Sequence, residues 1–187
     1  MNRILLSLTA LFTAFFTMTV YAQDNTANMK TSKILVAYFS ATGTTAGVAK
    51  DIAEIIGGEL YEIVPSKNYT NADLDWNDKK SRSSVEMNNP QSRPALKSKK
   101  GNIQEYDIIF LGYPIWWDLS LRIINTFIES HALKGKKLIP FATSGGSSIT
   151  NSVKTLKSTY PELNWKEGKL LNRTNKDKLR VWIESIK

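Results

Sequence analysis

The chain has 187 residues, a length that suits one domain with a sizeable core, and a formal net charge of +8. It has no cysteine and one histidine, which excludes disulfides, thiol chemistry and a lipidated N-terminal cysteine and argues against a zinc site. The lysines are scattered, with small clusters at 97–100 and 134–137 and no basic helix, so the charge reads as a solvated surface and not as a nucleic-acid footprint. At the N-terminus, Arg3 precedes an uncharged apolar run over 4–20 and a Val20-Tyr21-Ala22 exit. That order predicts a secretory signal peptide over 1–22, cut after Ala22, and an exported, periplasmic protein. The alternative is an uncleaved anchor, because the run is near the lower length limit for crossing a bilayer. Cleavage would remove one charged residue, Arg3, leaving +7. Residues 23–32 are small and polar and read as a flexible tether to a domain over 33–187.

That domain opens on residues 33–39 (KILVAYF), an apolar run suited to a strand buried on both faces. Ser40-Ala41-Thr42-Gly43-Thr44-Thr45 follow, and then Val48, Ile52, Ile55 and Ile56 at helical spacing before Gly57-Gly58 stops the helix. A strand, a hydroxyl-rich turn and a helix make an anion site. The first helical turn leaves N–H groups unpaired, its dipole favours negative charge, and the hydroxyls add donors. Gly43 lets the backbone approach closely. No Lys or Arg lies within 40–45, so a phosphate there would rest on neutral donors, unlike a Walker A site. The competing reading is a plain helix cap.

Residues 59–64 (ELYEIV) alternate like a strand nearer a sheet edge. Residues 65–102 are polar, carry Pro90 and Pro94, and offer few apolar anchors beyond Tyr69, Leu74, Trp76, Val85, Met87 and Leu96. A helix fits around 78–87, but the whole reads as a long excursion of a kind that is usually functional or mobile. Residues 106–113 (YDIIFLGY) read as a buried strand, followed by Pro114-Ile115-Trp116-Trp117-Asp118. Leu121, Ile124, Phe127 and Ile128 predict a helix over 120–130, with His131 at its end as a dipole partner or surface residue. Residues 136–143 (KKLIPFAT) read as a strand ending in Ser144-Gly145-Gly146-Ser147-Ser148. A helix over 149–160, a strand over 165–171 and a helix over 176–186 complete the chain.

Alternating strands and helices predict a doubly wound parallel sheet with helices on both faces. Ligands of such sheets sit beyond the carboxyl ends of the strands. The turns at 40–45, 114–118 and 143–148 all fall there and would share one crevice. The first offers neutral phosphate donors. The second offers two adjacent tryptophans that could cover a flat ring, although burial in the core is the plainer use of either. The third, a Ser/Gly turn with exposed N–H groups, permits close approach. One phosphate and one planar heteroaromatic ring describe a mononucleotide, with flavin mononucleotide (FMN) the best fit.

These three turns, in this order, resemble those of flavodoxins, and most closely a bacterial flavodoxin-like group whose second flavin loop reads G-x-P-I-W-W. The resemblance runs from Lys33 to the C-terminus and implies a five-stranded sheet of order 2-1-3-4-5. It implies that the FMN phosphate lies on Ser40, Thr42, Gly43, Thr44 and Thr45. It implies isoalloxazine contacts with Pro114, Ile115, Trp116 and Trp117 on one side and Ser144, Gly145, Gly146 and Ser147 along another edge. Tyr69, Trp76, Arg82, Glu86, Arg93 and Pro94 resemble the group's pattern in the excursion, which would cap the flavin or line a substrate pocket. Alternatively, Arg82 and Glu86 merely form a surface pair. Electron-carrying flavodoxins are typically acidic, and this basic chain departs from that.

The expected function is therefore that of an FMN-dependent redox protein, with the flavin carrying the chemistry and either a partner protein or a small molecule accepting electrons. No catalytic acid or base and no metal is required. The alternatives are an FMN-dependent NAD(P)H:quinone-type reductase and a non-redox binder of another phosphorylated ligand. No G-x-S-x-G elbow favours a hydrolase. Membrane contact would arise only through an uncleaved signal.

Overall fold

The computed structural model describes residues 32–172 and 175–186. The leader expected at 1–22 and all of the tether except Ser32 lie outside these residues. Strand β1 (Ile34–Tyr38) is buried on both faces, as its unbroken apolar run requires. Leu35 and Ala37 point into one core, and Val36 and Tyr38 into the other. Helix α1 (Thr44–Ile56) returns the chain to β2 (Glu59–Glu62), which pairs parallel to β1. The excursion follows and contains α2 (Arg82–Asn88), one turn shorter at its start than the segment expected around 78–87. Strand β3 (Ile108–Trp116) lies on the other side of β1, and β5 (Lys137–Thr143) lies beyond it, both parallel.

Between β3 and β5 come a two-residue strand β4 (Leu119–Ser120) and helix α3 (Arg122–Glu129). After β5 come α4 (Thr150–Thr159), the short strands β6 (Asn164–Trp165) and β7 (Lys169–Leu170), and α5 (Lys176–Ser185). The sheet order is β2-β1-β3-β5-β6, with β7 also on β5, so the 2-1-3-4-5 winding expected from the sequence is present. Helices α1 and α5 cover one face through Ala49, Ile52, Leu179, Trp182 and Ile183. Helices α3 and α4 cover the other through Ile124, Phe127, Ile128 and Leu156.

Three strands differ from the sequence reading. The second, expected over 59–64, ends at Glu62. The fifth, expected to be continuous over 165–171, is broken into β6 and β7. Its neighbour explains the break. The Leu138 and Ala142 carbonyls accept hydrogen bonds from Lys166 and Leu171, so Pro140, midway between them, faces the same strand without an N–H to donate. The register slips by one residue across the gap, from Leu138↔Trp165 to Phe141↔Lys169. The third strand is longer than expected. It runs through Pro114, Ile115 and Trp116, turns at Trp117-Asp118 and returns antiparallel as β4, with Trp116 opposite Leu119. Both turn residues have positive φ, 48° and 63°, as in the two-residue turns that match hairpin twist. A tryptophan there is strained.

Gly112 in β3 serves the core. A Cβ at this position would sit 2.2 Å from Phe141 Cζ, so the absence of a side chain lets the Phe141 ring cross the strand.

Candidate functional site

A cleft of about 1260 Å³ opens at the carboxyl end of the sheet. All three turns reach it. Thr42, Thr44 and Thr45 line it from the first, Pro114, Ile115, Trp116 and Trp117 from the second, and Ser144 and Gly145 from the third. Ser40, Gly43, Gly146 and Ser147 do not line it. They shape the turns from behind.

The first turn is braced from within. The Gly43 N–H donates to Ser40 Oγ at 3.1 Å, and Gly43 takes a left-handed φ of 87° at the start of α1. No side chain caps α1 and no acidic residue lies in its first turn, whereas Ser81 and Asn175 cap α2 and α5 through their side chains. The first N–H groups of α1 thus face the cleft end without a protein anion. Thr42 and Thr44 are exposed there, with hydroxyls 3.4 Å apart. Thr45 is buried, and its Oγ1 lies 2.8 Å from Thr143 Oγ1, joining the first turn to the end of β5.

The third turn is less open than the sequence suggested. The N–H groups of Gly146 and Ser147 both donate to Ser144 Oγ, at 3.1 and 2.8 Å. Asn172, just after β7, clamps Ser144 from outside: the Ser144 N–H donates to Asn172 Oδ1, and Asn172 Nδ2 donates to the Ser144 carbonyl, both at 2.7 Å. Sequence reasoning passed over Asn172, yet it stands at the carboxyl end of the last strand, where the winding rule places ligand contacts.

The adjacent tryptophans part company. Trp116 is half-buried and meets Phe39 and Tyr69 edge-on, with centroids 6.2 and 5.5 Å away. Trp117, at the strained turn, is 44% exposed.

The excursion forms the remaining wall through Leu74, Trp76 and Ser83. Trp76 belongs to the pattern that the resemblance singles out, Leu74 reads as an apolar anchor, and sequence reasoning passed over Ser83. Arg82 and Glu86 are not a surface pair. Arg82 Nε donates to Glu86 Oε1 at 2.6 Å with both side chains largely buried, the guanidinium stacks 3.9 Å over the Tyr69 ring, and the Tyr69 hydroxyl donates to Glu86 Oε2. Burial, then the bond to Glu86, raise the Tyr69 phenol, so it stays a donor. Neither charged residue lines the cleft. Together they press Tyr69 against Trp116. Arg93 anchors the far side with paired 2.8 Å bonds to Glu129, which also accepts from the Tyr160 hydroxyl at 2.6 Å. Burial and that bond push Tyr160 up to about 12. Arg122 closes the seam by donating to the Met87 carbonyl at 2.8 Å.

A parallel sheet wound in this order, with a phosphate-sized helix end and an aromatic wall at one crevice, defines a flavodoxin-like fold. The family model for flavodoxin matches residues 33–186, and the chain belongs to that family. A protein from Bacteroides eggerthii provisionally classed as a flavoprotein is 67% identical, with a TM-score of 0.82 over 83% of this chain and 98% of that one. One from Bacteroides uniformis, classed likewise, is 59% identical, with a TM-score of 0.81 over 83% and 99%. A flavoprotein from Lactobacillus acidophilus solved in complex with FMN is 24% identical, with a TM-score of 0.62 over 79% and 98%, a likeness of fold. No curated protein sequence matches the chain.

Proposed function

We propose that the protein is an exported FMN-binding redox protein that passes electrons through the bound flavin. The carrying observation is the start of α1: a helix end without a side-chain cap or an acidic first turn, opening into a crevice walled by tryptophans. The donor set fits a single phosphate, because N–H groups and the Thr42 and Thr44 hydroxyls supply neutral donors there. Ser40, Gly43 and Thr45 hold those donors in place. Pro114, Ile115, Trp116 and Trp117 would take the isoalloxazine, with Ser144 and Gly145 along another edge and Gly146 and Ser147 behind them. The FMN complex of the Lactobacillus acidophilus flavoprotein supports the choice of ligand. When bound, FMN supplies the electron and hydride chemistry, and the protein's residues bind it, orient it and keep water from one face.

The purified protein should show visible flavin absorbance, or gain it on incubation with FMN. Gly43→Asp should weaken FMN binding by roughly 100-fold by setting a carboxylate beside the phosphate. Gly43→Asn tolerates the left-handed backbone without adding charge and should retain binding. Failure of the wild-type protein to take up FMN, or equal loss in both variants, would count against this site.

A small-molecule acceptor is favoured over a docking protein by the excursion, which walls the cleft with Leu74 and Trp76. Rapid NAD(P)H oxidation would identify a reductase, with the nicotinamide binding transiently.

A further inference from the structure

The break in the last strand has a consequence at the cleft. Before it, Leu138 pairs with Trp165; after it, Phe141 pairs with Lys169 and Ala142 with Leu170. Carried two residues further, the later register sets Asn172 opposite Ser144. The earlier register would set Leu171 there, a side chain buried in the apolar core. A leucine offers a peptide group nothing to bond, whereas a carboxamide offers an acceptor oxygen and donor hydrogens. The slip therefore decides what kind of side chain meets the third turn.

Asn172 bonds to both backbone groups of Ser144. Its Oδ1 accepts the Ser144 N–H and its Nδ2 donates to the Ser144 carbonyl, each at 2.7 Å. The Leu171 N–H donates to the Ala142 carbonyl at 2.8 Å in the backbone ladder, and the Asn172 carboxamide adds side-chain bonds beyond it. Ser144 Oγ meanwhile accepts from the Gly146 and Ser147 N–H groups. Three of the four N–H groups over 144–147 are thereby taken within the protein. The fourth, on Gly145, has no partner among the described residues, and Gly145 lines the cleft together with Asn172. A backbone donor left open at a crevice is free for an acceptor on a ligand.

We infer that Asn172 is a positioning residue for the flavin. By clamping Ser144 it presents the Gly145 N–H as the single backbone donor that the third turn offers to the isoalloxazine ring. The role rests on the FMN reading and adds to it a residue that none of the three turns contains. A donor held against the ring gains strength as reduction adds electron density there. The clamp therefore bears on reduced FMN more than on oxidised FMN, and so on the reduction potential.

The test uses the full-length protein and its Asn172→Ala and Asn172→Gln variants. FMN uptake is measured first, by visible absorbance. The affinities for oxidised and reduced FMN and the two-electron potential are then measured by titration. Asn172→Ala should bind oxidised FMN about threefold and reduced FMN about thirtyfold more weakly. That tenfold difference lowers the two-electron potential by about 30 mV. The visible flavin band should shift as the ring loses its donor. Asn172→Gln carries the same carboxamide on a longer arm and should recover at least half of the change in potential. Because Asn172 is exposed, neither variant should alter the far-UV circular dichroism. An Asn172→Ala protein that binds FMN with the wild-type potential and band overturns the role and leaves the cofactor reading intact. A loss confined to thermal stability, as a merely structural contact would give, overturns it as well. Equal shifts in the two variants also count against it, because the carboxamide would not be their cause. Absence of FMN uptake by the wild type sinks the cofactor reading, and this role with it.

Discussion

The two ends of the sheet are built on opposite electrostatic terms. At the amino ends of the strands, charge collects. Lys33 pairs with Glu105, Lys100 Nζ donates to Glu59 at 2.6 Å, the Tyr106 hydroxyl also donates to Glu59, and Lys136 Nζ donates to the Gln104 carbonyl at 3.1 Å. The bond from Lys100, then that from Tyr106, hold the Glu59 carboxyl below its ordinary range. At the carboxyl ends, the cleft has hydroxyls, amides and aromatic rings and no charged lining residue. The difference teaches that the basic balance of the chain supplies no charged side chain to the cleft lining. Under the proposed FMN reading, the phosphate would rest on oriented backbone dipoles, which act without the hydration cost of a buried ammonium. The charges elsewhere close seams between segments.

The contrast can be broken most severely behind the cleft. Gly112→Ala drives a Cβ into the Phe141 ring and should cost about 3 kcal/mol in urea or thermal unfolding. Phe141→Leu in the same chain should recover part of that loss, which separates a clash from a backbone effect.

The excursion tests whether charges outside the cleft shape it. Glu86→Ala removes the acceptor of both Arg82 and Tyr69 and should destabilise by about 2 kcal/mol. It should also speed proteolysis within residues 65–102 at temperatures where the sheet stays folded. If cleavage there is unchanged, the strut does not hold the wall.

At the carboxyl end, Thr45→Val leaves the buried Thr143 hydroxyl without its partner at 2.8 Å. A cost of about 1 kcal/mol is expected, together with several-fold weaker FMN binding as the first and third turns uncouple.

The smallest effect belongs to the amino end. His131 bridges the end of α3 and the excursion: Nδ1–H donates to the Phe127 carbonyl at 2.7 Å, and Nε2 accepts the Lys100 N–H at 3.0 Å. That pairing requires the neutral ring. Burial first, opposed by the bond to Phe127 and aided by nearby Lys99, lowers its pKa below the ordinary 6.5. The unfolded chain therefore takes the proton first. The stability from this bridge is complete above about pH 6.5 and is lost as pH falls through the lower, folded value. His131→Asn should flatten that part of the pH–stability curve, and FMN affinity should not change with it.

Much of this was legible in residue order. The apolar run ILVAY of β1 could only be a strand buried on both faces, and the hydroxyl-rich turn before α1 could only stand at its carboxyl end. Alternation of strand and helix then dictated the winding, and the winding placed 40–45, 114–117 and 143–147 at one crevice. Local spacing and chain chirality are enough for that, because each depends on residues close in sequence. Other features depended on partners far along the chain. The broken last strand is set by Pro140 in the neighbouring strand. The separate fates of Trp116 and Trp117 follow from a hairpin whose turn residues carry no glycine signal. For Arg82 and Glu86 the sequence leaves a helix-surface pair open until Tyr69 is stacked beneath them, and the resemblance names Trp76 without showing that it borders the same cavity as Trp117. These pairings join segments tens of residues apart, and only packing in three dimensions selects them.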